Sequence, residues 1–388
     1  MKFIFYLSLL FILYTYAGYP ALIYLLARFF PRRVKKGPLA PEPLVSVVVA
    51  ARNEERFIGK KVESLLGQDY PPDRLEIVIV SDGSTDGTNA IVESFAAGSS
   101  ATIAAGGAHH PRLRLIVLDA NRGKPSALNA GVAGSHGEYI VFADARQEFG
   151  PRAVRELVSN FSDPAVGSVS GELLFREDSK TEIKSEMGLY WKIEKWIRRT
   201  EGAIHSVVGA TGAIYAIRKS LFVPIPADTI LDDVFVPMKI VCAGYRNVYD
   251  GEAVAYDRFS KNLAHEAQRK VRTLLGNYQL IRISPELLLP FGNPLFVQFF
   301  SHKVFRLFVP FLFIAMVVAA LFLSGLIYRL ALAAVVLGLL MCLFNKPFSR
   351  VPVLGSLTAI ARTFLLLNSF AFIAFFRAIR PGKVNVWK

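Results

Sequence analysis

The chain has 388 residues, 53% of them hydrophobic and 20% charged, with a formal net charge of +14. That composition excludes a disordered or collagen-like chain. A positive mean hydropathy of +0.37 combined with strong basicity is unusual for one soluble domain. It points to apolar segments held by basic flanks at an anionic membrane. Nucleic acid is not expected as a partner, because the positive charge clusters beside apolar runs. Cys242 and Cys342 are the only cysteines and lie far apart, so no disulfide framework is expected.

In chain order, Phe3 to Ala27 is uncharged and long enough to span a bilayer. Arg28, Arg32, Arg33, Lys35 and Lys36 follow it. A signal peptide carries its basic residues before a shorter apolar core, so residues 1–30 are expected to be an uncleaved anchor. The basic flank places the next domain in the cytosol.

Residues 45–283 differ in kind. Val45 to Ala51, Leu75 to Val80, Leu113 to Leu118 and Tyr139 to Phe142 are β-branched, apolar runs. Between the first two, Glu54 to Gln68 has helical spacing, with Phe57, Ile58, Val62, Leu65 and Leu66 on one face. Strands alternating with helices predict an α/β fold with a mainly parallel sheet. Ligands of such sheets bind beyond the carboxyl ends of the strands. Those ends carry Asn53-Glu54, Asp82-Gly83, Asp119 with Asn121, and Asp144. Ala96 to His110 is rich in small residues and predicts a surface loop. Its His109-His110 pair has no third ligand at metal spacing. Thr181 to Arg199 predicts a helix, with Trp191 and Trp196 either stacking on a sugar or packing the helix.

Pro285 to Val304 is apolar but broken by prolines, which predicts an interfacial segment over 285–303. Leu307 to Tyr328, Leu330 to Asn345 and Val351 to Phe376 predict three further spans within 304–378. With one anchor and three spans, Arg377, Arg380, Lys383 and Lys388 fall outside, against the positive-inside rule. Either the rule fails here or part of the last segment is interfacial.

Four motifs occur in order: Ser46-Val-Val-Val-Ala-Ala-Arg-Asn-Glu-Glu55, Val80-Ser-Asp-Gly-Ser-Thr-Asp-Gly-Thr88, Asn121-Arg-Gly-Lys-Pro-Ser-Ala-Leu-Asn-Ala-Gly131 and Val141-Phe-Ala-Asp-Ala145. Together they resemble the family 2 inverting glycosyltransferases of the GT-A fold. The membrane-anchored branch, with cellulose, hyaluronan and poly-N-acetylglucosamine synthases, is the most similar. The resemblance implies a multi-pass cell-membrane enzyme with a cytosolic, Rossmann-like GT-A domain. It implies a nucleotide-sugar donor, UDP-linked, and a glycan or lipid-linked acceptor, in envelope or extracellular polysaccharide synthesis. Envelope-complex subunits are possible partners beside the membrane lipids.

The resemblance also assigns residues. Asp82 would accept from a uracil N–H, Glu54 would hold base or ribose, and Lys124 would reach base or diphosphate. Asp144 opens the Asp-x-Asp motif, which holds Mg²⁺ or Mn²⁺ on the diphosphate. Here the third position is Arg146. Asp144 and the phosphates would hold the ion between them, the favoured option, or Arg146 would pair with the diphosphate. Val208-Gly-Ala-Thr-Gly212 resembles the acceptor loop, with Gly209 and Thr211 beside the acceptor. Ile230-Leu-Asp-Asp-Val234 resembles the Glu-Asp pair, with Asp232 on the acceptor and Asp233 as general base. Gln268-Arg-Lys-Val-Arg272 resembles the Gln-x-x-Arg-Trp region. Arg269 falls at the Gln place, Arg272 at the Arg place on the leaving diphosphate, and Thr273 at the Trp place. Polymer extension and a single transfer both stay open, and a non-catalytic nucleotide-sugar-binding subunit is the alternative.

Overall fold

The computed structural model describes residues 1–104, 111–176, 182–258, 263–344 and 352–380. Among these residues eight strands form one sheet in the order β3-β2-β1-β4-β7-β6-β8-β5. They are β1 (Val45–Ala51), β2 (Leu75–Asp82), β3 (Arg112–Leu118), β4 (Tyr139–Asp144), β5 (Glu148–Phe149), β6 (Val166–Arg176), β7 (Ile214–Arg218) and β8 (Arg246–Arg258). The four runs recognised in the sequence are the parallel half, β3-β2-β1-β4. Every residue of β1 and β2 is buried, which is why those strands are continuous apolar runs. β7 runs antiparallel to both β4 and β6, while β6 and β8 are parallel.

Alternation along β1 divides the core into two layers. Val45, Val47, Val49 and Ala51 face α3 (Ile58–Leu66) and α6 (Ala153–Ser159). Val48 and Ala50 face α5 (Lys124–Ala133), α8 (Asp232–Cys242) and α9 (Leu263–Ile283). Register puts Asp144 beside Ala50, and Asp82 beside Leu118 at the next strand ends. Strand order reverses at β1, so these ends open onto a topological switch point.

Two expectations are corrected. The first part of Ala96 to His110 is helical: α4 runs Thr88–Ala104, because alanine-rich sequence favours helix over loop. The rest of that segment, including His109 and His110, lies outside the described residues, as do Lys383 and Lys388. The interfacial segment is not one piece either. Pro285–Leu288 is a short 3₁₀ turn, whereas Phe296 onward already belongs to the first C-terminal apolar helix.

Among the described residues, four helices are long and apolar enough to cross a membrane: Lys2–Phe29, Phe296–Leu321, Leu326–Leu343 and Val353–Ile379. The first contains a π turn at Tyr14–Gly18 and the second one at Phe300–Val304. The two turns meet, with Tyr14 Oη 2.8 Å from Ser301 Oγ. Beside them, α7 (Glu182–Ile204) lies against the first apolar helix, where Trp196 stacks on Tyr24. His302 is fully buried between two carboxylates of α7. Its Nδ1 lies 2.8 Å from Glu201 and its Nε2 2.9 Å from Glu194. Tyr19 also donates to Glu201, and Arg306 to Glu194. This polar cluster joins the apolar helices to the α/β domain.

Helix α5 packs tightly on the sheet at Gly131, where an added Cβ would overlap Val48 and fall 3.1 Å from Val80. Both neighbours are stiff, β-branched and buried, so neither can yield. Gly131→Val is expected to cost about 1–3 kcal/mol through overpacking, read as a lower thermal midpoint of the detergent-solubilised protein.

Candidate active site

Three loops at the strand ends are tied together first. Asn53, with φ +53°, accepts at Oδ1 from the Thr85 amide at 2.8 Å. The Glu54 amide donates to Thr88 Oγ1 at 2.9 Å, and the Gly87 amide donates to Glu55 at 3.0 Å. Asp82 is fully buried at the end of β2. Its Oδ1 accepts from the Arg122 amide at 2.7 Å and its Oδ2 from the Gly123 amide at 2.8 Å. The carboxylate therefore grips the turn that launches α5. Gly123 takes φ +89°, open to glycine, and Pro125 sits in the first turn, where its missing N–H costs nothing.

That turn delivers Lys124. Its Nζ stands 2.9 Å from Asp144 Oδ1 and 3.2 Å from Asp232 Oδ2. Burial opposes its charge, but Asp144, Asp232 and Asp233 together hold its pKa above the ordinary lysine value. Asp232 and Asp233 occupy the first turn of α8, where the helix dipole favours anions. Burial raises the Asp233 carboxyl to about 6; Asp232 and Asp144 add to the shift, and Lys124 opposes it. The loop 208–212 packs on this turn, with the Ala210 amide donating to the Asp233 carbonyl at 2.6 Å. Gly209 has φ +82° and backs onto Val234, while a Cβ on Gly212 would come 3.0 Å from Asp233 Oδ2. Thr211 is held by Arg198 and by the Gly171 carbonyl.

Lys124, Asp144, Thr211, Asp232, Asp233, Arg269 and Arg272 line one cavity of about 350 Å³. Glu54, Asp82, Gly209 and Arg146 lie outside its wall. Burial raises the Glu54 pKa; Arg146 opposes the shift, and Asp144 and Asp86 add to it. Arg146 is exposed, with its guanidinium 5.9 Å from the Phe57 ring centroid. One buried atom of the lining, Asn277 Oδ1, has no hydrogen-bond partner, as expected of a site shaped for a polar ligand, and Asp232 Oδ2 has the Lys124 ammonium beside it.

A metal would find one protein carboxylate here. Among the described residues no three His, Cys, Asp or Glu side chains cluster to hold an ion. Mg²⁺ commonly takes one or two carboxylates plus substrate phosphates. The Asp144 side chain, 38% exposed, fits that donor set.

Motif reading missed the other half of the lining. Those missed are Glu194, Lys195 and Arg198, which share a face of α7 with the expected Trp191, and Glu266, Lys270 and Asn277, which share a face of α9 with the expected Arg269 and Thr273. Their spacing of three and four was the available signal: a polar stripe where a helix would bury apolar residues. Trp191 lies at the cavity with Lys270 Nζ 4.4 Å over its ring, whereas Trp196 packs on the apolar helix. Below the end of β4, buried Lys61 donates to the Gln147 carbonyl at 2.9 Å.

Residues 46–223 match the family model described as Glycosyl transferase family 2. The chain carries a family 2 glycosyltransferase domain. Poly-beta-1,6-N-acetyl-D-glucosamine synthase of Staphylococcus epidermidis is 24% identical over 241 residues, covering 61% of this chain and 55% of that protein. The chain thus spans about half the length of that curated relative. Among solved structures, the mannosyltransferase PcManGT of Pyrobaculum calidifontis, in complex with GDP-Man and Mn²⁺, aligns with a TM-score of 0.72 at 22% identity. The alignment covers 97% of this chain and 99% of that one, so the shared GT-A fold includes the flanking apolar helices.

The shared ammonium gives a stability test. Lys124→Gln leaves buried carboxylates uncompensated. At pH 8 a loss of up to about 3 kcal/mol is expected, the low end for a broken buried pair because Asp144 is partly exposed. The loss should shrink at pH 5, as Asp233 takes up its proton, and thermal midpoints at the two pH values measure the difference.

Proposed function

We propose that this chain is a membrane-embedded inverting glycosyltransferase. It moves a sugar from a nucleotide-sugar donor, UDP-linked, to a hydroxyl of a glycan or lipid-linked acceptor in envelope or extracellular polysaccharide synthesis. Residues 45–283 form the catalytic unit and face the cytosol. Residues 1–30 anchor it, 285–295 link it to the membrane, and the apolar helices within 296–379 supply three spans. The observation that carries this reading is Asp233, a half-buried carboxylate at a helix N-terminus, lining one cavity with Asp144 and Asp232, which a single ammonium joins. A non-catalytic sugar-nucleotide-binding subunit would leave that carboxylate without a task.

Asp144 and Lys124 orient the diphosphate, and Arg272 offsets its charge as it leaves. The acceptor hydroxyl lies against Gly212, where the absent Cβ leaves room beside Asp233. Asp233 takes the hydroxyl proton while the oxygen attacks the sugar C1 from the face opposite the diphosphate. A carboxyl with a pKa of about 6 is ionised at neutral pH yet more basic than an exposed aspartate. A divalent ion held between Asp144 and the diphosphate would supply further compensation of the leaving charge.

Asp233→Asn is expected to slow transfer by about 10²–10⁴-fold, with UDP affinity within a few-fold of wild type. In the wild type, the rate should rise with pH through an apparent pKa of about 6, because the base must be unprotonated. An active Asp233→Asn beside a dead Asp232→Asn would move the base to Asp232. EDTA should abolish transfer and added Mn²⁺ or Mg²⁺ restore it; full activity in EDTA would transfer the role to Arg146. For topology, Asp73 is an exposed reporter at 71%. In a variant without Cys242 and Cys342, Asp73→Cys should resist a membrane-impermeant thiol reagent in intact cells and react after permeabilisation.

A further inference from the structure

Three cations of the cavity wall, Arg198, Arg272 and Lys303, form no ion pair with a carboxylate among the described residues; exposed Arg272 is assigned to the leaving diphosphate, which leaves two. Arg198 donates to Thr211 Oγ1 at 3.0 Å and to Ser170 Oγ at 2.8 Å, both neutral hydroxyls. Its Nε is buried without a partner. Lys303 lies in the π turn Phe300–Val304 and lines the same cavity. The carboxylate beside them, Glu194, is engaged by His302 and Arg306. A partly desolvated guanidinium and ammonium face one cavity while the nearby carboxylates Glu194 and Glu201 are taken up by His302 and Arg306, which favours an anion between them.

Their position identifies the side of the reaction. The charge of Lys303 acts on Asp233, the base, while the donor carboxylate Asp144 is paired with Lys124. Lys303 also lies near the start of the apolar helix Phe296–Leu321. About two turns on, roughly 10 Å away, Pro310, Phe313 and Ile314 of that helix wall an apolar groove of about 280 Å³ against Phe364 and Phe372. One helix therefore carries a cation into the polar cavity and an apolar surface away from it.

We propose that the acceptor is a lipid-linked phosphate ester, its phosphate bound by Arg198 and Lys303 and its hydrocarbon chain lying along the helix Phe305–Leu321. This rests on the glycosyltransferase reading and narrows its acceptor. The accepting hydroxyl gives its proton to the Asp233 carboxylate, and its oxygen forms the new bond to the sugar C1. The bond from C1 to the diphosphate oxygen breaks, and its electron pair leaves with the nucleoside diphosphate. The acceptor's phosphate undergoes no bond change; it fixes the hydroxyl in place.

The test uses the full chain in nanodiscs of phosphatidylcholine, with polyprenyl phosphate, the uncharged polyprenol and inorganic phosphate as probes. Binding is measured by native mass spectrometry, and UDP binding is measured separately on the same samples. Polyprenyl phosphate is expected to bind at least about tenfold more tightly than polyprenol, a step worth one charge-assisted contact. Lys303→Gln should remove that preference, Lys303→Arg should keep it, and both should bind UDP within about twofold of wild type. Arg198→Lys should weaken the preference without abolishing UDP binding. Equal binding of the phosphate and the alcohol, or a preference that survives Lys303→Gln, would overturn the proposal. Inorganic phosphate competing at the same concentration as the lipid would overturn its lipid source. Loss of UDP binding in the wild type would instead defeat the underlying enzyme reading.

Discussion

The site depends on one buried ammonium. Asp144 at the end of β4 and Asp232 and Asp233 at the start of α8 are three carboxylates around one cavity. Their mutual repulsion in a partly desolvated site would protonate them or push them apart. Lys124 makes their proximity tolerable, and its position is inherited. The Asp82 carboxylate fixes the amides of Arg122 and Gly123, and the next residue is Lys124. Charge balance in the site thus begins at a residue outside the cavity wall.

The parallel half of the sheet was legible because strands buried on both faces must be apolar throughout, and Val45 to Ala51 and Leu75 to Val80 meet that condition. The other half was not. β6 carries Gly167, Ser168, Ser170 and Gly171, and β8 carries Asp250 and Gly251, so neither has a clean alternation or an apolar run. In β6, Gly167 and Gly171 are demanded by close neighbours: a Cβ would press on Ile240 and Tyr245 at one and on the Ala253 carbonyl at the other. Tertiary contact chose those residues, and local pattern cannot show it.

The same division runs through the cavity. Residues on strand-end motifs were found because four motifs in order are specific. Lys303 and Arg198 belong to no motif and meet the site only through folding. Asp82 shows the limit from the other side: sequence marks the residue, but only the structure reveals that both its oxygens hold backbone amides.

The paired π turns deserve a mechanical reading. Each inserts one extra residue into a helical turn and so rotates everything beyond it by roughly 100° relative to an unbroken α-helix. In the helix Phe296–Leu321 this lets Ser301, His302 and Arg306 meet polar partners while the residues from Leu307 on present hydrocarbon. In the first apolar helix it aims Tyr14 and Tyr19 at the same junction. The two helices are thus phased at a single level, like keyed shafts. Sliding or turning one of them requires the other to re-index, so the angle at which the α/β domain sits on its apolar helices is set in discrete steps.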